Sequence, residues 1–502
     1  MTNAPSLTPP PPPTWWTTTE ERADPSLYRE PPTRGAVAAV VLGAAGTDLA
    51  VWASGPGLAW TIGATGAAVA VVIGARPRRR AALLLLAAVP VLAVWCSVRT
   101  SPWLIVPDVI AINLCLILGA DLAGRGQWFD QSLARVAARL VQFVEDTFGA
   151  VAWIRPAIRR SPAPGRRNWA PVLGGLAIGV PLVVVLGALL ASADAVFASF
   201  VDVDLAASGS VAFRHVAAGL AGGLAVAAML RKASATADPE LSAPQRLSAT
   251  VGNIVLAGVA GVFALYAASR VLALTGTAER IATTRGLTWA DYARSGFFQL
   301  LAVAAITLFV LLTVCGWCDR GDAAQTRVRK VLGMLIVVEI LGIVADAVHR
   351  LSGYEQAYGL TMLRWYSTGF ALWLALVFGV MGVAIATDYR GRRWLTPTIL
   401  TTALVALLVV NVANPERIVA GRNLTGPTRS GETDLGYLVE QLGDDALPVI
   451  DEHLDDLADD DLTTLRDALC PVDRPEPQWF NPNLARADGD RIVERWCGAG
   501  AS

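Results

Sequence analysis

Glu339, Asp346 and Arg350 recur within one apolar run at spacings of seven and four, which puts them on one stripe of a helix, with His349 beside it. Ionisable groups inside lipid-embedded helices are costly and mark ion paths, ligand sites or ion pairs. After a short turn, "YGLTMLRWYSTGF" sets Thr361, Arg364 and Thr368 on one face of the next run. Antiparallel neighbours would bring Arg364 to the depth of Asp346, so these two are expected to form a structural pair. The stretch "TWADYARSGFFQLL" (288–301) adds Tyr292, Arg294, Ser295 and Gln299, and Arg294 can pair with Asp291. Thr288 with Asp291 reads as a capping box. A helix from there to Cys318 is roughly 45 Å long, so its first turns stand outside the bilayer or it tilts. These groups suit recognition of an ion or a charged small molecule, with Tyr292, Arg294, Gln299, Glu339, Asp346 and Arg364 as the ligand-binding candidates. Interhelical bonds that fix helix packing account for them equally well. Further polar groups toward the same side are Asp194, Asp202, Asp204, Arg214, His215, Asn411, Asn414 and Arg417.

Other chemistry is thinly represented. "CGWC" (Cys315 to Cys318) has the spacing of a redox pair, but it ends an apolar run, where the helix dipole disfavours a thiolate. It reads as structural. The acid run 455–461 lacks the alternating ligands and turn glycine of a calcium loop. With three histidines and no nucleophile–base or metal-ligand spacing, the chain offers no catalytic residues, no metal site and no cofactor.

The elements that must position these groups are membrane spans. Of 502 residues, 54% are hydrophobic and 17% charged, with a mean hydropathy of +0.48. Apolar runs of about 18 residues or more recur, each long enough to cross a bilayer core. They predict an all-α polytopic bundle of about eleven spans near 35–53, 58–75, 81–98, 102–120, 169–191, 210–230, 248–274, 292–317, 331–350, 362–386 and 396–413. Alternate loops at 76–80, 121–168, 231–247, 318–330 and 387–395 carry 22 Lys and Arg, which assigns them to the cytoplasm. The expectation is a cell-membrane protein with a cytoplasmic N-terminus and an extracytoplasmic C-terminus. No basic patch interleaved with aromatics supports nucleic-acid binding.

Three parts follow. Residues 1–34 form a disordered, Pro-rich cytoplasmic arm, and 35–413 form the bundle. In the cytoplasmic 121–168 loop, Leu133, Val136, Leu140, Phe143 and Val144 share one helical face with Arg135 and Arg139 beside it. That amphipathic helix would lie along the membrane surface or pack on the bundle. Residues 414–502 hold 8 Arg against 19 Asp and Glu, and form a small acidic extracytoplasmic helical domain. There, Cys470 and Cys497 each follow a helix and are expected to form a disulfide, worth about 3 kcal/mol in the chain-entropy model.

Three stretches in order, "TWADYARSGFFQLL", "YEQAYGLTMLRWYSTGFALWL", and "NVANPERIVAGRNL" followed by "TDLGYLVEQLGDDALP", resemble a bacterial multi-pass membrane family of unknown function, the one numbered 4173. The likeness covers roughly 180–450. It implies a membrane location and a shared helical core, brings no activity, and marks Tyr292, Arg294, Gln299, Gly359, Thr361, Arg364, Asn414 and Asn423. Arg422 stands where that family usually has an aromatic residue. The reading of function is binding or transport of a small molecule or ion through the outward polar cluster. The alternative is an envelope sensor or membrane scaffold, with protein partners at the basic loops or the acidic domain and the lipid bilayer around it.

Overall fold

A computed structural model of the chain describes residues 29–77, 79–124, 133–158, 209–235, 248–272, 289–318, 323–387, 392–425, 435–470, 474 and 476–498. Among them there is no strand, and ten helices are long and apolar enough to cross a membrane. These ten coincide with ten of the eleven expected spans; the other, 169–191, lies outside the described residues, as does most of the Pro-rich arm.

The first half of the bundle contains α1 (Arg34–Trp52), α2 (Leu58–Ala75), α3 (Arg80–Ala93) with its one-turn continuation α4 (Trp95–Val98), α5 (Pro102–Gly124) and α7 (Gly209–Ala233). The 26-residue α6 (Leu133–Ile158) packs on this half. The second half contains α8 (Ala249–Leu272), α9 (Trp289–Trp317), α10 (Ala323–Tyr358), α11 (Met362–Ala386) and α12 (Arg392–Ala413). One large cluster, including Leu311, Ile336, Ile340, Leu374, Phe378 and Met381, forms the core of the second half. The first half is held by smaller clusters rich in alanine. The halves meet where α5 faces α12, with Leu404, Leu407 and Leu408 packed against Ile112 and Cys115 and their neighbours. Tyr366 of α11 also stacks on Trp103 and donates its hydroxyl to the Trp103 carbonyl at 2.7 Å.

The two ends of the bundle differ. At one end, Arg29 enters and pairs with Asp146 at 3.0 Å, while the Trp153 indole donates to the Glu30 carbonyl. Here α6 crosses from α5 to α1 on a face made of Val136, Arg139, Asp146, Ala150 and Ile154. Lys232 is fully enclosed; its ammonium donates to the Arg139 carbonyl at 2.8 Å and sits 3.4 Å from Asp121 and 3.7 Å from Asp146. Arg139 pairs with Asp121, and Arg231 with Asp146. The helix therefore packs on the bundle, and its inward face is partly ionic: Arg139 is buried, whereas Val144 points outward at 54% exposure.

At the opposite end sits a cap formed by α13 (Pro415–Thr425), α14 (Leu435–Glu440), α15 (Leu447–Glu452), α16 (Asp459–Leu469) and α17 (Leu484–Gly498). Its own core gathers Val419, Leu438, Ile450, Leu465, Ile492 and Trp496. Cys470 and Cys497 are bonded, with Cα atoms 5.6 Å apart, tying α16 to α17. Asn414, at φ 51°, adopts the left-handed turn between α12 and α13, and its side-chain oxygen accepts from the Arg417 amide. Cys315 and Cys318 are not joined to each other by a disulfide.

Small residues let α1 and α2 touch backbone to backbone: a Cβ on Gly63 would lie 2.5 Å from the Gly46 carbonyl oxygen. Gly63→Ala should therefore force the helices apart and cost about 1–3 kcal/mol, read as a lower melting temperature of the purified protein in detergent. An unchanged melting temperature would contradict this packing.

Candidate functional site

Among the described residues, the largest group of buried polar side chains lies where the cap meets both halves. Asp108 stands six residues into α5, and Asn411 two residues before the end of α12. Both are fully buried, and Asn411 Nδ2 donates to Asp108 Oδ1 at 2.9 Å and to the Leu407 carbonyl at 3.0 Å. Asp108 Oδ2 and Asn411 Oδ1 are also buried and receive no hydrogen bond. Two acceptor oxygens are thus held in a span without a donor, a costly state unless something positive joins them.

Arg99 lies in the short link between α4 and α5. Its Nε and Nη2 donate to the Asn411 carbonyl at 3.2 and 3.0 Å, and its Nη1 to Asp445 of the cap at 3.2 Å. The guanidinium also lies 5.7 Å from the Trp95 ring centre. The other Asp445 oxygen accepts from the backbone amides of Thr100 (2.8 Å) and Ser101 (3.0 Å), so an anion sits at the N-terminus of α5, where the helix dipole favours it. Asn483 Nδ2 donates to the Cys96 and Arg99 carbonyls, both at 2.9 Å, and Asn414 Nδ2 to the Asp445 carbonyl at 3.1 Å. Glu416, 1% exposed, accepts from the Gly443 amide at 2.9 Å. Burial pushes its carboxyl up to about 7, with Asp445 adding to the rise and the Ser101 hydroxyl and Gly443 amide opposing it. Asp108, Glu416 and Asp445 are thus three buried acids at this junction, and only Asp445 is paired with Arg99, so the set can hold a proton or a small cation.

Of the six residues singled out from sequence, four have described side chains. Tyr292 and Arg294 belong to α9, but their side chains lie outside the described residues. Gln299 is exposed. Glu339 is half-buried near mid-span, and its Oε2 has no hydrogen-bond partner. Asp346 accepts from Arg350 at 2.9 Å and from the Tyr266 hydroxyl at 2.9 Å. Arg364 donates to the Gly359 carbonyl. The expected Asp346–Arg364 pair is not among the described contacts. Arg350, one turn along the same helix, reaches Asp346 without crossing to a neighbour. Arg364 turns back onto the Gly359 turn, whose φ of 75° separates α10 from α11. It lies near Glu355, whose carboxyl is raised by burial and held back by Arg364, Thr368 and Arg422. Beside it, Asn423 takes both backbone groups of Leu360, at 2.9 and 2.8 Å. A small cavity within the cap, lined by Leu438, Leu442, Asp444, Leu447, Ile450 and Arg474, includes none of the six.

Sequence reasoning passed over Asp108, Arg99, Glu416 and Asp445 as site residues. Asp108 had a signal: it is an acid inside an apolar run, as Glu339 is. Asp445 had none, being one acid in a strongly acidic segment.

The fold and this buried cluster define a multi-pass, all-helical membrane protein. Residues 81–453, well over half of the chain, match the family model described as Domain of unknown function (DUF4153), and the chain belongs to that family. The number carried by the three sequence stretches, 4173, is not the number of this match, and the matched region begins about a hundred residues earlier than the resemblance did. No curated protein and no solved structure matches the chain.

Two outcomes follow. Asp445→Ala leaves one arm of Arg99 and two helix-start amides without their acceptor and should cost about 3–5 kcal/mol, seen as faster proteolysis of the cap. Because the Glu416 carboxyl titrates higher folded than unfolded, its contribution is full below pH 4.5 and is lost as pH rises to about 7. The loss is about 3 kcal/mol, and Glu416→Gln should flatten the fall in melting temperature over that range. An identical pH profile in both proteins would refute this.

Proposed function

We propose that this membrane protein binds a proton or small cation at the Asp108–Asn411 pair and carries it between the two ends of the bundle. The observation behind the reading is the pair of donor-less, fully buried oxygens, Asp108 Oδ2 and Asn411 Oδ1, inside membrane spans. The pair lies at the seam of the two halves, where a small relative movement would open it to either side. Glu339, with a buried oxygen lacking a partner, supplies a second acidic position in the other half. The basic loops support a cytoplasmic arm end and hence an extracytoplasmic cap, with residues 414–502 as a separate domain.

A second reading, a sensor or scaffold without transport, draws on the hydrogen bonds that fasten the cap to the bundle and on the engaged state of Asp346 and Arg364. Proteoliposomes holding a pH-sensitive or a sodium-sensitive dye separate the two. Under imposed proton or sodium gradients, the wild-type protein should dissipate one of them several-fold faster than Asp108→Asn. Equal rates for the two proteins, matching protein-free vesicles, would sink the transport reading and favour the scaffold.

A further inference from the structure

Trp479 is 92% exposed, an unusual state for a tryptophan in a folded domain. Its position is closely constrained. The flanking segment is hydrogen-bonded into the link between α1 and α2. Gln478 accepts from the Ser54 amide at 2.9 Å, Asn481 accepts from the Ala59 amide and donates to the Gly55 carbonyl, each at 3.1 Å, and the Pro482 carbonyl accepts from the Leu58 amide at 3.1 Å. That link joins two membrane spans, so residues 478–482 are held at the level where lipid gives way to water.

Ring contacts extend the same placement. Trp52, the last residue of the α1 span and 60% exposed, lies 5.9 Å from the Phe480 ring, and Phe480 lies 5.7 Å from Trp479. The three rings form a row running from a bilayer-spanning helix onto the cap. Val51 (53% exposed) adjoins the row at the helix end, and Leu484 (62%) opens α17 just beyond the Asn481 anchor. Indole rings favour the headgroup level, where an apolar body and an N–H donor are both accommodated.

We propose that Trp479, with Phe480 and Trp52, seats the cap on the bilayer, its indole inserted among the lipid headgroups at the cap end. The occupant of this exposed aromatic surface is lipid, because the row begins on a residue that already closes a membrane span. The seat fixes the tilt of the cap relative to the bundle and shields the polar cluster beneath it on the lipid side. None of this depends on whether Asp108 binds an ion.

Spin labelling tests it. Cys96, Cys115, Cys315 and Cys318 are replaced by alanine, the Cys470–Cys497 bond is kept, and a nitroxide is placed at Trp479→Cys or, as a control, at the exposed Arg491→Cys. The proteins are reconstituted in phosphatidylcholine–phosphatidylglycerol vesicles. Preserved melting temperatures in detergent establish that the background folds, and Trp479→Phe in the otherwise native chain gives the same readout by quenching with brominated lipid. The label at 479 should collide with oxygen several-fold more, relative to a water-soluble nickel complex, than the label at 491. Equal ratios at the two sites would place Trp479 in water and overturn the proposal. Spin–spin broadening at 479 that disappears on dilution with unlabelled protein would also overturn it, because the surface would then meet a second copy of the chain.

Discussion

The carboxylate of Asp445 holds this molecule's halves and cap in register. It is fully buried, yet it receives two backbone amides at the start of α5 and one arm of Arg99, whose other nitrogens grip the end of α12. One acidic group thereby fixes a helix start from the first half, a helix end from the second and the domain that follows. Two buried charges of opposite sign rarely add much net stability over an apolar pair of equal volume. What they supply here is geometry, because Arg99 and the helix-start amides fit only one position of the cap.

The arm end solves a related problem with different chemistry. Lys232, Arg139 and Arg231 meet Asp121 and Asp146 between α5, α6 and α7, all buried except Arg231, which is half-buried. A helix lying across the ends of three spans cannot be positioned by alanine packing alone, since small residues allow sliding. Directional ion pairs remove that freedom. The spans between the two ends carry few polar side chains and rely on close approach, as at Gly46 and Gly63.

Much of the architecture is legible in the sequence because bilayer thickness sets the length of an apolar run, whatever the run packs against. Ten spans could be read at nearly their observed limits for that reason. The capping role of Thr361, whose hydroxyl accepts from the Arg364 amide, also follows from local order. Partners across space are a different matter. Two arginines lie at a plausible depth for Asp346 in the sequence, and spacing alone does not show that Arg350 and the Tyr266 hydroxyl reach it. Asp445 is one acid among many in its segment, and its partner lies more than three hundred residues upstream. Periodicity can say that Arg139 flanks an apolar face, but not that the neighbouring helices offer it a carboxylate.

That distance along the chain carries a consequence for how the protein is made. The amides of Thr100 and Ser101 are delivered to the membrane early, while Asp445 emerges 345 and 344 residues later. Until then the start of α5 and the guanidinium of Arg99 must be satisfied by water or lipid headgroups. The first half therefore inserts in an unfinished state, and its exposed end becomes native only when the last span has been threaded and the cap has crossed or reached the same side. The contact that completes this end is thus the last to become available in chain order: a product ending before Asp445 lacks the acceptor for the Thr100 and Ser101 amides and for one arm of Arg99.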